Sequence, residues 1–187
     1  MTEFRPAARR SDAERNRARI LDVARDALAT AGDVSLHAIA KRAGVGQGTL
    51  YRHFPTREAL VLAVYRQDVG ELVDAADALL EAYEPWDALC HWLDRLADFG
   101  RVKHGLAGVL QTATRTALSD EHYQPVIDAI DRLLRACRGA GRVRPDIEAE
   151  ELLLLVGFLW QSEQDAAWEQ RSRRMLSVVL AGLGTLG

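Results

Sequence analysis

At 187 residues and 48% hydrophobic content, the chain fits one medium domain or a small domain joined to a larger one, and is too apolar for wholesale disorder. A net charge of −3 excludes a uniformly basic nucleic-acid binder, yet the charge is divided. Residues 1–57 carry 11 Lys and Arg against 6 Asp and Glu, while residues 58–187 carry 13 against 21, so a cationic front part can settle on phosphates while the acidic remainder stays off them.

Strand alternation persists nowhere, and the punctuation predicts an all-α chain of about nine helices. Residues 1–11 read as a flexible basic arm. A helix over residues 12–30 follows, with Ile20, Val23, Ala24, Ala27 and Leu28 on one stripe and Gly32 as its stop. Ser35 suits the N-cap of a second helix that turns Leu36, Ile39, Ala40 and Ala43 inward. Gly44 is the turn residue. A third helix covers residues 46–53, and Pro55 ends it because the residue before proline avoids helical angles. Thr56 then caps a long fourth helix reaching residue 83.

The later helices are expected at residues 86–103, after Pro85, and at 106–118, after Gly105. Ser119 is read as the cap of a segment from 120 to 138, in which Pro125 marks a kink or a late start. GAGRVRPD, residues 139–146, is the clearest loop. Asp146 caps a helix to residue 164, and a last helix spans residues 166–183. The division expected is an arm (1–11), a helix-turn-helix unit (12–57) and a helical remainder (58–187).

Residues 35–54, SLHAIAKRAGVGQGTLYRHF, carry the functional signal. A short amphipathic helix, a glycine turn and a second short helix with a polar outer face form a helix-turn-helix. Leu50 and Phe54, four apart, give the second helix its inner face, and Val45 packs in the turn. Gln47, Thr49, Tyr51, Arg52 and His53 are left outward. Glutamine can pair bidentately with adenine, threonine can meet a base edge or a thymine methyl, and tyrosine, threonine and histidine suit phosphate oxygens. Gly48 leaves room for close backbone approach. A solvated helical hairpin is the alternative reading of the same pattern.

Elsewhere the sequence is quieter. Cys90 and Cys137 lack a partner motif and read as reduced core thiols of a cytoplasmic protein. The first 20 residues lack the apolar stretch of a secretory signal, and the longest apolar run, LLLLVGFLW, is too short to span a bilayer, so no membrane role is expected. His91, His104 and His122 have no metal-ligand spacing, and no nucleophile motif, phosphate loop or zinc pattern appears, so neither metal, cofactor nor catalytic residue is expected.

RAGVGQGTLYRHFPTREAL, residues 42–60, resembles the signature of the tetracycline-repressor (TetR) family, and SLHAIAKR before it resembles that family's second helix. The likeness covers about residues 15–62. It implies that Gln47 reads a base, that Thr49 and Tyr51 touch phosphate and base edges, that His53 lies near the backbone, and that His37 meets DNA at the start of the second helix. The family usually places lysine where this chain has Arg57, which keeps the charge and gains a fork. Lys41, Arg42 and Arg52 are additional DNA candidates, and Arg5, Arg9 and Arg10 could enter a minor groove.

One such reader makes too little contact for strong specificity; two copies ~34–36 Å apart on a palindromic operator remedy this, so a homodimer is expected. The apolar stretch around residues 152–160 needs cover on nearly every side. Leu152, Leu155, Val156 and Leu159, with Trp168, Met175, Leu176, Val179 and Leu183 of the last helix, are expected at the dimer interface. The resemblance implies a four-helix bundle of these helices with their copies. It also implies a cavity for an unknown small-molecule effector, which Trp86, Trp92, Phe99, Leu110, Tyr123 and Trp160 could line, with Gln111, Thr112, Thr114 and Arg115 orienting a polar group. The whole reads as a ligand-responsive repressor of transcription binding a double-stranded DNA operator. The rival readings are a helical small-molecule-binding protein or enzyme that keeps the fold without operator binding, and control by a partner protein or by thiol oxidation.

Overall fold

The computed structural model describes residues 5–31, 35–105, 117–161 and 166–185, and side chains within those stretches except 5–11, 29–31, 101–105, 117–122 and 160–161. Every named element among them is a helix, and Val143 and Gly184 form an isolated antiparallel bridge. The chain divides into two compact units, the boundary falling between Arg66 and Gln67.

In the first unit, α1 (Arg5–Ala31) packs on α2 (Leu36–Arg42) and α3 (Gln47–His53), which pack on each other. Ile20, Leu21, Ala24, Ala27 and Leu28 of α1 bury one stripe, against which Ile39, Ala40, Ala43, Leu50 and Phe54 complete the core. The helix starts at Arg5, so the backbone of residues 5–11 is helical where a loose arm was expected. Pro6 lies in the first turn, where a missing N–H costs nothing, and Ala7 to Arg10 are good helix formers with no breaker among them.

The other starts and stops follow local chemistry. Ser35 caps α2, its hydroxyl accepting from the Ala38 N–H at 3.2 Å. Gly44 takes φ +63°, a left-handed value that costs glycine nothing, and Val45 N–H closes the turn onto Ala40 O at 3.1 Å. Thr56 caps α4 (Arg57–Ala82), its hydroxyl accepting from Ala59 N–H at 3.1 Å. The unit boundary falls within α4.

The second unit is built on α5 (Pro85–Gly105), which packs against α6 (Ala117–Gly139), α8 (Phe158–Gln161) and α9 (Trp168–Leu183); α7 (Ala149–Leu155) packs on α6. Leu89, Trp92, Leu93 and Leu96 face Ile130, Leu133 and Leu134 in its core, all nearly inaccessible to solvent. Gly100 permits the closest approach: a Cβ there would stand 3.0 Å from Leu159 O. The loop after α6 turns on Gly141, φ +66°, and the chain after α9 returns to it, Arg144 N–H donating to Leu183 O at 3.0 Å.

Three expected boundaries in this unit are corrected. α6 begins at Ala117 and runs through Pro125, so Ser119 is inside a helix rather than its cap; Val126, Ile127, Ala129, Ile130, Leu133 and Leu134 hold it down past the proline. Asp146 does not cap α7. Its carboxylate takes both forks of Arg144 at 2.6 Å, and Glu148 is the N-cap, its N–H donating to Glu151 Oε2 at 2.9 Å. The expected helix from 146 to 164 is two, separated by a turn at Val156 and Gly157. The expected 106–118 helix lies outside the described residues except for Ala117 and Leu118, which belong to α6.

The apolar residues assigned to an interface separate into two groups. Leu152, Leu159, Trp168, Leu176 and Leu183, each on the inward face of its helix, and Val156 in the turn between α7 and α8 are buried within this unit. Leu155 and Met175 point outward and Val179 is half-buried. Leu154, 76% exposed, and Val178, 72% exposed, join them and were not singled out in the sequence. On α9, Met175, Val178, Val179 and Gly182 follow the i, i+3, i+4, i+7 spacing of one stripe.

Candidate nucleic-acid interface

The recognition surface begins from the burial of α3. Leu50 is fully buried and Phe54 nearly so, and these two fix which way the helix is rolled. Gln47, Gly48, Tyr51 and Arg52 are then exposed, with Thr49 and His53 half-buried beside them. Arg17 of α1 lies over the Phe54 ring at 5.7 Å and the His53 ring packs on it at 6.2 Å, so the inner face is locked by a cation and a second ring.

The outward polar groups are organised. Arg52 folds back along its helix, Nε donating to Gly48 O at 3.0 Å and Nη2 donating to Thr49 Oγ1 at 3.2 Å. The Thr49 oxygen is thereby engaged as an acceptor, and its hydroxyl proton is left to donate elsewhere. Across the turn, the Gln47 amide nitrogen meets His37 Nδ1 of α2. Tyr51 is 49% exposed, so its ring and phenol are accessible to a partner outside the chain.

A Cβ built on Gly46 or on Gly48 would meet nothing within 4 Å. Neither glycine is demanded by packing within the chain. Lys41 and Arg42 close the last turn of α2 and are exposed, whereas Arg57 stands half-buried at the start of α4. Glu58 beside it has a lowered carboxyl pKa, through hydrogen bonds from its own backbone N–H and from Thr56 and through the nearby Arg57 charge.

His37, Lys41, Gln47, Gly48, Thr49, Tyr51 and Arg52 are thus exposed or accessible on one helix pair, with His53 and Arg57 at its margin. Two features of this surface escaped the sequence reading: the clamp of Arg17 on Phe54 and the pairing of His37 with Gln47. Both join residues from different helices, and no spacing rule announces them. The side chains of Arg5, Arg9 and Arg10 lie outside the described residues.

The residues expected around a ligand are not assembled in the same way. Trp92 is fully buried with its indole N–H donating to Leu72 O at 2.8 Å, which makes it a core residue of the second unit. Trp86 and Phe99 are 13 residues apart on one helix, ~20 Å along its axis at 1.5 Å per residue. Arg142 covers Trp86 at 5.9 Å, and Tyr123 is 44% exposed. Leu110, Gln111, Thr112, Thr114 and Arg115, and the side chain of Trp160, lie outside the described residues, as do the side chains of His104 and His122. His91 packs on Tyr83 at 4.5 Å. Among the described residues no cluster of His, Cys, Asp or Glu could hold a metal ion, and no helix is long and apolar enough to cross a membrane.

Comparison with known proteins agrees with this geometry. Residues 20–64 match the family described as bacterial regulatory proteins, tetR family, and residues 84–185 match the family described as transcriptional regulator SbtR-like, C-terminal domain. The TetR transcriptional regulator SCO0520 from Streptomyces coelicolor is 34% identical, with a TM-score of 0.81 over 91% of this chain and 99% of that one. A TetR transcription regulatory protein from Mycobacterium vanbaalenii is 35% identical, with a TM-score of 0.76 over 94% and 99%. The HTH-type transcriptional regulator UidR of Escherichia coli K12 is 27% identical over 94% of this chain and 96% of its own length. These are names of transcriptional regulators and not of enzymes. The chain belongs to the TetR family and is a DNA-binding transcriptional regulator.

Proposed function

We propose that the chain is a cytoplasmic, homodimeric, ligand-responsive repressor whose two α3 helices enter successive major grooves of a palindromic operator. The observation that carries this reading is the division of α3 into a buried apolar face, Leu50 and Phe54, and an outward face of Gln47, Thr49, Tyr51 and Arg52. Gln47 and Thr49 address base edges; Tyr51, His53, Lys41 and Arg57 address phosphates.

The outward stripe of Met175, Val178 and Val179 on α9, with Leu154 and Leu155 on α7, supports pairing with a second copy. The effector is read as binding in the second unit, among the helices between Trp86 and Arg138. A coupling of ~1–3 kcal/mol between effector and operator loosens binding by about 5- to 150-fold.

The test is a fluorescence-anisotropy titration of a duplex selected from a random double-stranded pool. Gln47→Ala and Tyr51→Phe are each expected to weaken binding by about tenfold or more while the dimer persists in light scattering. Titration curves that coincide with that of the unaltered protein would refute the surface assigned to α3.

A further inference from the structure

His37 sits in the first turn of α2 and Gln47 opens α3 ten residues later. The Gly44 turn brings them together, the Gln47 amide nitrogen meeting His37 Nδ1. Both side chains are exposed. An exposed glutamine ordinarily samples several rotamers and either amide orientation; this one has an imidazole nitrogen within reach across the turn.

The orientation decides what the groove meets. A carboxamide has one acceptor oxygen and a nitrogen with two protons, and a neutral imidazole protonated at Nε2 offers Nδ1 as an acceptor. When one amide proton is donated to Nδ1, the outward remainder is Oε1 and the second N–H, an acceptor beside a donor. That pair is complementary to the N6 amino group and N7 of adenine. Reversed, with Oε1 turned toward α2, the amide would present two protons, complementary to N7 and O6 of guanine.

We propose that His37 is a positioning residue that sets the base preference of Gln47: by accepting one amide proton it holds the amide in its adenine-reading orientation before DNA arrives. The proposal rests on the reading of α3 as the helix that enters the groove. Fixing the amide beforehand also removes part of the side-chain entropy that binding otherwise consumes. The TetR resemblance implies that His37 meets DNA; a direct contact of His37 with a phosphate makes a different prediction, since phosphate contacts position the protein without favouring a base.

The experiment uses the full-length protein and the selected duplex, permuted one base pair at a time and titrated at fixed salt. Gln47→Ala identifies the base pair that Gln47 reads as the one whose adenine preference collapses. At that base pair His37→Ala is expected to lower the adenine-over-guanine affinity ratio by about tenfold, with the ratios at all other positions unchanged. His37→Asn, whose Oδ1 is attached where Nδ1 is, is expected to retain the ratio. An unchanged ratio in His37→Ala, an equal loss of affinity for every duplex, or a loss in His37→Asn matching that in His37→Ala each overturns the positioning role. A Gln47→Ala protein with no altered position overturns the reading of α3 itself, and is told apart by that single variant.

Discussion

Individual side chains of α3 divide between a buried and an exposed face. Leu50 is fully buried and holds the recognition helix against α1 and α2. Leu50→Ala is expected to cost about 2–5 kcal/mol in urea unfolding, with any loss of DNA affinity following from that. Trp92 was read as a possible ligand contact, yet its N–H is engaged by Leu72 O. Trp92→Phe should therefore lower stability by about 1 kcal/mol or more through the lost indole hydrogen bond and the smaller buried ring. The two thiols differ as well. Burial first, and Cys90 beside it second, push the Cys137 thiol up to about 11; its Sγ–H donates to Pro85 O at 3.1 Å. Thiolate is the reactive form, so at neutral pH Cys137 should resist a thiol reagent such as Ellman's until the protein unfolds, a result that rapid labelling of both cysteines in the native protein would contradict.

At the scale of elements, helix glycines show which constraints are local. Gly70 lies within α4 with open space where a Cβ would go, whereas at Gly100 of α5 that Cβ would stand 3.0 Å from the Leu159 carbonyl of α8. Gly70→Ala should gain about 0.5–1 kcal/mol from helix propensity. Gly100→Ala gains the same and loses about 1–3 kcal/mol by forcing two packed helices apart, so its melting temperature should fall while that of Gly70→Ala rises. The contrast also explains what the sequence could tell. Ser35, Gly44 and Thr56 act within four residues of themselves, and their roles were readable from type and spacing. The Val156–Gly157 turn was hidden by the continuous apolar run around it, and nothing near residue 12 marked a helix start because none exists there. Which apolar residues are left outward depends on what the unit's own core already covers. Leu154 and Val178 therefore look like Leu152 and Leu176 in sequence and differ only in the folded unit.

For the molecule as a whole, the proposed operator binding is tested through charge and through pairing of two copies. With the basic excess confined to the first 57 residues, operator affinity should fall linearly in log–log plots against salt, with a slope of about −0.9 per phosphate neutralised. Replacing Lys41 by Ala should reduce that slope by about one for each subunit whose lysine meets a phosphate, and an identical slope would remove Lys41 from the contact set. Leu154→Glu combined with Val178→Glu places charges on outward apolar positions only. The double variant should keep its helical circular dichroism yet sediment as a monomer and lose the duplex; a persisting dimer would mean that other surfaces join the copies.

The open space above Gly48 has one more consequence. Nothing inside the chain objects to a methyl group there, so an alanine would be welcome to the isolated molecule and should raise its melting temperature. Any objection must come from outside, from a nucleic-acid strand that needs the room. Under the proposed reading of α3, Gly48→Ala is thus expected to move thermal tolerance and operator affinity in opposite directions, and the distance between the two responses would measure how closely the backbone of α3 lies against its target.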